Sequence, residues 1–183
     1  MIKKATTKKK LTAAEKRVAI AEDTIKWLNS RAIKATPGTY FGAPAKGIKV
    51  KSYDDKLDVA LEKTKEACRV CALGGMFYSM VRRFDKVTVG VGNIDSRLNS
   101  DYFLGVDGFG VFEELEKYFP HHQLAAIESA FEQRDMVEYK DHAKMSDAEV
   151  ERAQDFTRGA KTPADRLRAI MNNIIENKGK FRP

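Results

Sequence analysis

The stretch that most constrains this fold runs from Cys68 to Val81, the most apolar window of the chain. It reads CRVCALGGMFYSMV, holds both cysteines and the one adjacent pair of glycines, and is flanked by arginines. Because such a run cannot face water along its length, it predicts a central buried helix. Apolar residues at helical spacing from Leu57 onward leave two possibilities, one long helix through the window or two helices broken near 65–67.

The two cysteines favour a packing role over chemistry. A structural zinc site takes four ligands, and the adjacent histidines 121–122 are poorly placed to share one metal. Redox exchange needs an exposed thiolate, commonly at a helix N-terminus, and the helix through Cys68 would bury it. Small residues one turn apart, with Gly74 and Gly75, instead let another backbone approach closely. The sequence therefore predicts no catalytic, cofactor-binding or metal-binding residue here.

Local signals elsewhere predict mostly helices. Capping patterns start helices at Thr12, Ser146 and Thr162, and Pro120 opens another that follows a short helix over 111–119. Alternating apolar residues predict short strands at 48–50 and 87–91, and residues 92–109 form a loop. The prediction is a mainly α, α+β fold, a single-domain helical bundle around the central helix with a small sheet of two or three strands.

The positive charge of the chain is concentrated at its start. The net charge is +7, and residues 1–17 hold seven lysines and arginines against one glutamate, a net charge of +6. Residues 1–10 form a flexible basic arm, and 11–183 form the globular domain. The arm is either a solubilising tail or a phosphate-binding element. Its candidate nucleic-acid-binding residues are Lys3, Lys4, Lys8, Lys9 and Lys10.

An aromatic pair follows the turn signal at Pro37 and Gly38. Tyr40 and Phe41 lie between glycines, so they either plug the core beneath a loop or form an exposed contact for a partner. The plug is the favoured interpretation. The pair is nevertheless the candidate partner-binding site of the globular domain.

Three boxes together resemble a group of small bacteriophage and prophage proteins with a Cys-Ala-Leu-Gly box. They are the segments 38–42, 68–75 and 171–183, which read GTYFG, CRVCALGG and MNNIIENKGKFRP. The resemblance implies a phage accessory protein in the cytoplasm of a host bacterium, and it implies no activity or binding residue.

Three functions follow as expectations. The first is non-enzymatic binding of a host protein, for defence inhibition or host takeover. The second is nucleic-acid binding through the lysine arm, and the third is an enzyme whose site the sequence does not display. A deep polar pocket near His121, His122 or His142 would favour the enzyme, and a featureless surface there would count against it. No cofactor and no membrane association are expected, and a homodimer is possible.

Overall fold

The computed structural model describes residues 10–42, 61–62, 66–84, 109–133 and 145–183. These residues form a mainly helical fold with a small sheet, which confirms the predicted fold class. The helices are α1 Ala13–Asn29, α2 Ala72–Arg83, α3 Phe109–Glu116, α4 His121–Glu132, α5 Asp147–Thr157 and α6 Pro163–Glu176. The strands are β1 Ile33–Ala35, β2 Phe41–Gly42 and β3 Cys68–Val70.

The sheet is mixed, with β3 between the other two strands. β1 runs parallel to β3 with Ile33 opposite Cys68, and β2 runs antiparallel to β3 with Phe41 opposite Val70. The central strand alternates in burial, since Cys68 and Val70 are buried and Arg69 is exposed. The sheet therefore packs one face on the core, as short strands of a half-covered sheet do.

Helix starts are where the sequence signals predict them. Thr12 and Ser146 each form a complete capping box with the glutamate three residues later. Thr162 accepts a hydrogen bond from the main-chain N–H of Asp165, with Pro163 at the first helical position. These caps depend only on residues within one turn, which is why the sequence alone predicts them. Pro120 differs slightly, because it is the N-cap and α4 begins at His121.

The central stretch is a strand and a helix, so a helix running through Cys68 is wrong. β3 occupies Cys68–Val70, Cys71 is the N-cap, and the buried helix α2 begins at Ala72. The main-chain N–H of Cys68 donates to the oxygen of Ala32 at 3.0 Å. Pairing with β1 and β2 overrides the local helical spacing, because backbone hydrogen bonds must be satisfied across the sheet.

Helix α2 is the centre of the core, and every residue from Ala72 to Val81 is buried. Packing at its start leaves no room for a side chain. A Cβ atom on Gly74 would lie 2.6 Å from the carbonyl carbon of Tyr40 and would overlap its oxygen. A Cβ on Gly75 would lie 3.3 Å from Cγ2 of Thr24. The predicted close approach of another backbone is confirmed, and it is tightest at Gly74.

Helix α6 packs antiparallel on α1, and α1 in turn packs on α2. Arg168 near the start of α6 reaches the side chain of Asn29 at the end of α1, and the turn after α6 lies against Ala14. The apolar face of α6 is buried as predicted, with Ile175 half-buried at its edge. One core cluster joins residues from Ile20 to Phe181.

Several predictions fall outside the described residues. They are the strands at 48–50 and 87–91, all but the last residue of the loop at 92–109, the lysines before Lys10, and His142. That last residue, Phe109, begins helix α3 and so is not in a loop. Within the described ranges, no helix is both long enough and apolar enough to cross a membrane.

Candidate functional site

The start of α1 meets two other segments of the chain and forms the candidate site. The guanidinium of Arg17 donates to the main-chain oxygen of Tyr118, after α3, at 3.0 Å. On the other side, a Cβ atom on Gly179 would lie 2.8 Å from the oxygen of Ala14. We name the surface formed by Lys16, Arg17, Phe84, Tyr118 and the turn 178–180 the α1-entry surface.

Two aromatic rings and a lysine form the centre of the α1-entry surface. The rings of Phe84 and Tyr118 have centroids 5.8 Å apart and an interplanar angle of 26°, a stacked arrangement. The ammonium of Lys16 lies 5.6 Å from the Phe84 centroid and 5.3 Å from that of Tyr118. Both rings are half-buried against the core cluster. A cation over ring faces is an attractive contact, worth about 0.5–1 kcal/mol at exposed sites.

Arg83 borders the same rings but is held differently. Its guanidinium lies 5.7 Å from the Phe84 centroid and pairs with the carboxylate of Asp23 at 2.7 Å. The ion pair fixes the position of Arg83, whereas Lys16 is held over the rings on a longer, more flexible stem.

The turn after α6 adds two exposed lysines to the α1-entry surface. Lys178 and Gly179 have φ angles of +53° and +86°, and the main-chain N–H of Gly179 donates to the oxygen of Ile174 at 2.7 Å. Glycine is required at 179 because its backbone lies against α1 and is left-handed. The turn therefore sets Lys178 and Lys180, both exposed, beside the first turns of α1.

Further positive charge comes from the helix and the arm. The first main-chain N–H groups of α1 give its N-terminus a partial positive charge. Glu15, the acid in the first turn, accepts the N–H of Thr12 within the capping box. Lys10, exposed, directly precedes this turn, so the lysine arm joins the chain at the α1-entry surface.

Tyr40 contacts the core and lies apart from the α1-entry surface. It is half-buried, its hydroxyl donates to the carboxylate of Glu128, and its main-chain oxygen lies against Gly74. Glu128 itself is only 2 % exposed. These contacts give Tyr40 a structural role. Phe41 lies in β2, and partner binding by Tyr40 and Phe41 stays a prediction.

The two thiols are buried at the junction of β3 and α2. Burial raises the pKa of the Cys68 thiol to about 12. Burial is also the main reason that the pKa of Cys71 is well above its usual value, and the nearby carboxylate of Glu128 adds to it. The Cys71 sulfur accepts the N–H of Gly74 at 3.5 Å, which opposes the shift without overcoming it. A helix N-terminus normally activates a thiol, but burial dominates here.

A shallow groove of about 140 Å³ lies near the predicted histidines, between α4, α5 and the C-terminal residues. Its polar lining includes His122, Gln123, Glu149 and Arg152. Gln123 accepts the main-chain N–H of Phe181, and Glu149 accepts the N–H and hydroxyl of Ser146. The two hydrogen bonds from Ser146 lower the pKa of Glu149 and so favour its ionised form.

In the part of the chain that the structure describes, no three His, Cys, Asp or Glu side chains are grouped to hold a metal ion. No family model, curated protein or solved structure matches the chain.

The α1-entry surface is not visible in the sequence as a motif. Arg17 and Tyr118 are 101 positions apart, and Phe84 belongs to a third segment. Two sequence features point toward this surface, the lysine arm and the neighbouring residues Lys117 and Tyr118. Neither feature specifies which residues they contact in the fold. Only tertiary packing of α1 against the ends of α2 and α3 brings the rings and cations together.

Proposed function

We propose that this protein binds nucleic acid through the α1-entry surface and the lysine arm acting together. The observation that supports the proposal is the position of Lys16 over the stacked rings of Phe84 and Tyr118, at the point where the arm joins α1. Cations interleaved with aromatic rings are the pattern that nucleic-acid-binding surfaces use, since phosphates pair with the cations and bases contact the rings.

The charge distribution supports the same proposal. Sequence alone assigns the basic character to the arm and leaves the rest of the chain close to neutral. In the folded protein, four basic residues lie near the start of α1, which follows the arm in the chain. They are Lys16, Arg17, Lys178 and Lys180, so positive charge continues from the arm onto the folded surface. Each phosphate contact releases condensed counterions, which makes the binding salt-dependent.

The test is a salt titration of oligonucleotide binding by fluorescence anisotropy. Deleting residues 1–10 should remove most of the binding. In the full chain, the double variant Lys16→Gln/Lys180→Gln should weaken binding and reduce the salt slope by about 1–2. The matched control is Lys34→Gln/Lys161→Gln, which removes the same charge from two exposed positions, one in β1 and one just before α6. An equal loss of affinity in both double variants, or an affinity that does not fall as salt concentration rises, would contradict the proposal.

The role of a phage accessory protein that acts on a host protein stays a prediction, and one experiment separates it from nucleic-acid binding. The tagged full chain is incubated with bacterial lysate, with and without nuclease. Under our proposal, co-purifying material is nucleic acid and disappears after nuclease treatment. A single stoichiometric protein that remains bound after nuclease treatment would support the host-protein function instead.

A further inference from the structure

We infer that the ligand of the α1-entry surface is single-stranded nucleic acid, with an unpaired base stacking on the Phe84–Tyr118 ring pair. This inference rests on the proposed function and specifies its substrate class. The two rings, whose planes differ by 26°, present a platform that is only half-buried. The core cluster supports the rings from behind, so their remaining surface is held in place for a ligand.

A platform of this kind discriminates between single and double strands. Bases in a duplex are already stacked and paired, so their faces cannot reach an aromatic ring on a protein surface. Unpaired bases have exposed faces, and every base has one, which makes such stacking tolerant of sequence. The surrounding lysines at 16, 178 and 180 supply contacts to phosphates on either side of the stacked base.

The side chain of Lys16 covers the ring platform in the free protein and can be displaced by a base. Its ammonium lies over both rings in the free protein, where a base would otherwise stack. Its side chain is flexible and Lys16 is half-buried, so the ammonium can move to a phosphate when a base takes its place. Arg83 lacks this freedom because Asp23 pairs with it, so it continues to border the Phe84 ring.

The experiment compares a 20-nucleotide single strand with a duplex of the same sequence, bound to the full chain at low salt. Tyr118→Leu keeps an apolar side chain and removes the ring, whereas Tyr118→Phe keeps the ring. The hydrogen bond from Arg17 goes to the main chain of Tyr118, so neither variant removes that acceptor. Fluorescence of Trp27, the single tryptophan, reports whether each variant is folded.

The expected result is tighter binding of the single strand, weakened about tenfold by Tyr118→Leu, with most of that loss restored in Tyr118→Phe, which keeps the ring. Duplex binding should change less than twofold in both variants. Ultraviolet cross-linking of the wild-type complex should join the strand to Tyr118 or Phe84, which tests the inference even if Tyr118→Leu fails to fold.

Two results would overturn the inference, and they differ in what they mean for the proposed function. Equal salt-dependent binding of both forms, with no cross-link to either ring, would overturn the single-strand inference and leave nucleic-acid binding standing. No binding of either form at low salt would overturn both.

Discussion

The main chain of Tyr40 crosses helix α2 directly over Gly74. The oxygen of Tyr40 occupies the space that a side chain at residue 74 would need. Next to this crossing, the N–H of Cys71 donates to the oxygen of Thr39 at 2.5 Å. The crossing therefore joins the segment before β2 to the start of the central helix, and it explains why residue 74 of the apolar window is a glycine.

Gly74→Ala should destabilise the protein by about 3 kcal/mol or more, because the new methyl group would overlap backbone that cannot move independently. Gly75→Ala should cost less than about 1 kcal/mol, since its nearest neighbour is a methyl carbon of Thr24 at 3.3 Å and alanine favours the helix. Gly159 has nothing within 4 Å, so Gly159→Ala should be neutral or slightly stabilising.

The measurement for these three variants is urea denaturation followed by Trp27 fluorescence. A Gly74→Ala variant as stable as Gly159→Ala would show that the segment through Tyr40 does not pack on α2. The larger change Gly75→Leu should also destabilise, since its side chain must displace Thr24 and Ile33.

Tyr40→Phe should cost about 1.5–3 kcal/mol of stability. The variant removes the O–H that donates to the carboxylate of Glu128, which is 2 % exposed and loses that donor inside the core. The pair is tested by a double-mutant cycle with Glu128→Gln. The double variant should lose less stability than the sum of the losses in the two single variants, with a coupling energy above about 0.5 kcal/mol. Strict additivity would show that the hydroxyl and the carboxylate do not interact in solution.

The two thiols should be unreactive while the protein is folded. Both are buried, and burial raises the pKa of both. A thiol reagent at pH 8 should modify Cys68 and Cys71 only as fast as the chain unfolds. Rapid modification of the native protein would contradict the buried junction of β3 and α2.

The same thiols make stability fall with rising pH. Unfolded thiols ionise near pH 9.0, whereas folded Cys68 keeps its proton to about pH 12. Between these values the folded state binds more protons, so the stabilising effect is complete below pH 9 and is lost as pH rises, by about 1.4 kcal/mol per pH unit for Cys68. The raised pKa of Cys71 acts in the same direction. Cys68→Ala should flatten the decline measured by urea denaturation at pH 8.5–10.5. An unchanged slope in this variant would contradict the assignment.

The sequence predicts those parts of the fold that local chemistry determines. Thr12, Ser146 and Thr162 start helices because capping needs only residues within one turn. For Cys68 the local pattern predicts the wrong element, for the opposite reason. Its helical spacing is real, but β3 pairs with Ile33 and Phe41, which are distant in the chain, and that pairing decides the conformation.

The candidate site shows the same limit. The sequence indicates a basic arm that ends at Lys10, and it cannot show what the arm adjoins. The contacts among Lys16, Phe84 and Tyr118 depend on how α1, α2 and α3 end beside one another. No local pattern determines such packing, so the ring platform emerges only from the folded structure.

Lysine footprinting tests the central claim most directly. The full chain is acetylated at low salt, with and without a 20-nucleotide single strand, and each lysine is quantified by mass spectrometry. Lys16, Lys178 and Lys180 should be protected together with the arm. Lys34 and Lys161 should stay reactive, because both are exposed. Lys34 lies in β1, which follows α1, and Lys161 precedes the N-cap of α6, whereas the α1-entry surface lies at the start of α1 and the end of α6. Protection of Lys34 and Lys161 to the same degree, or of no lysine on the α1-entry surface, would contradict the account.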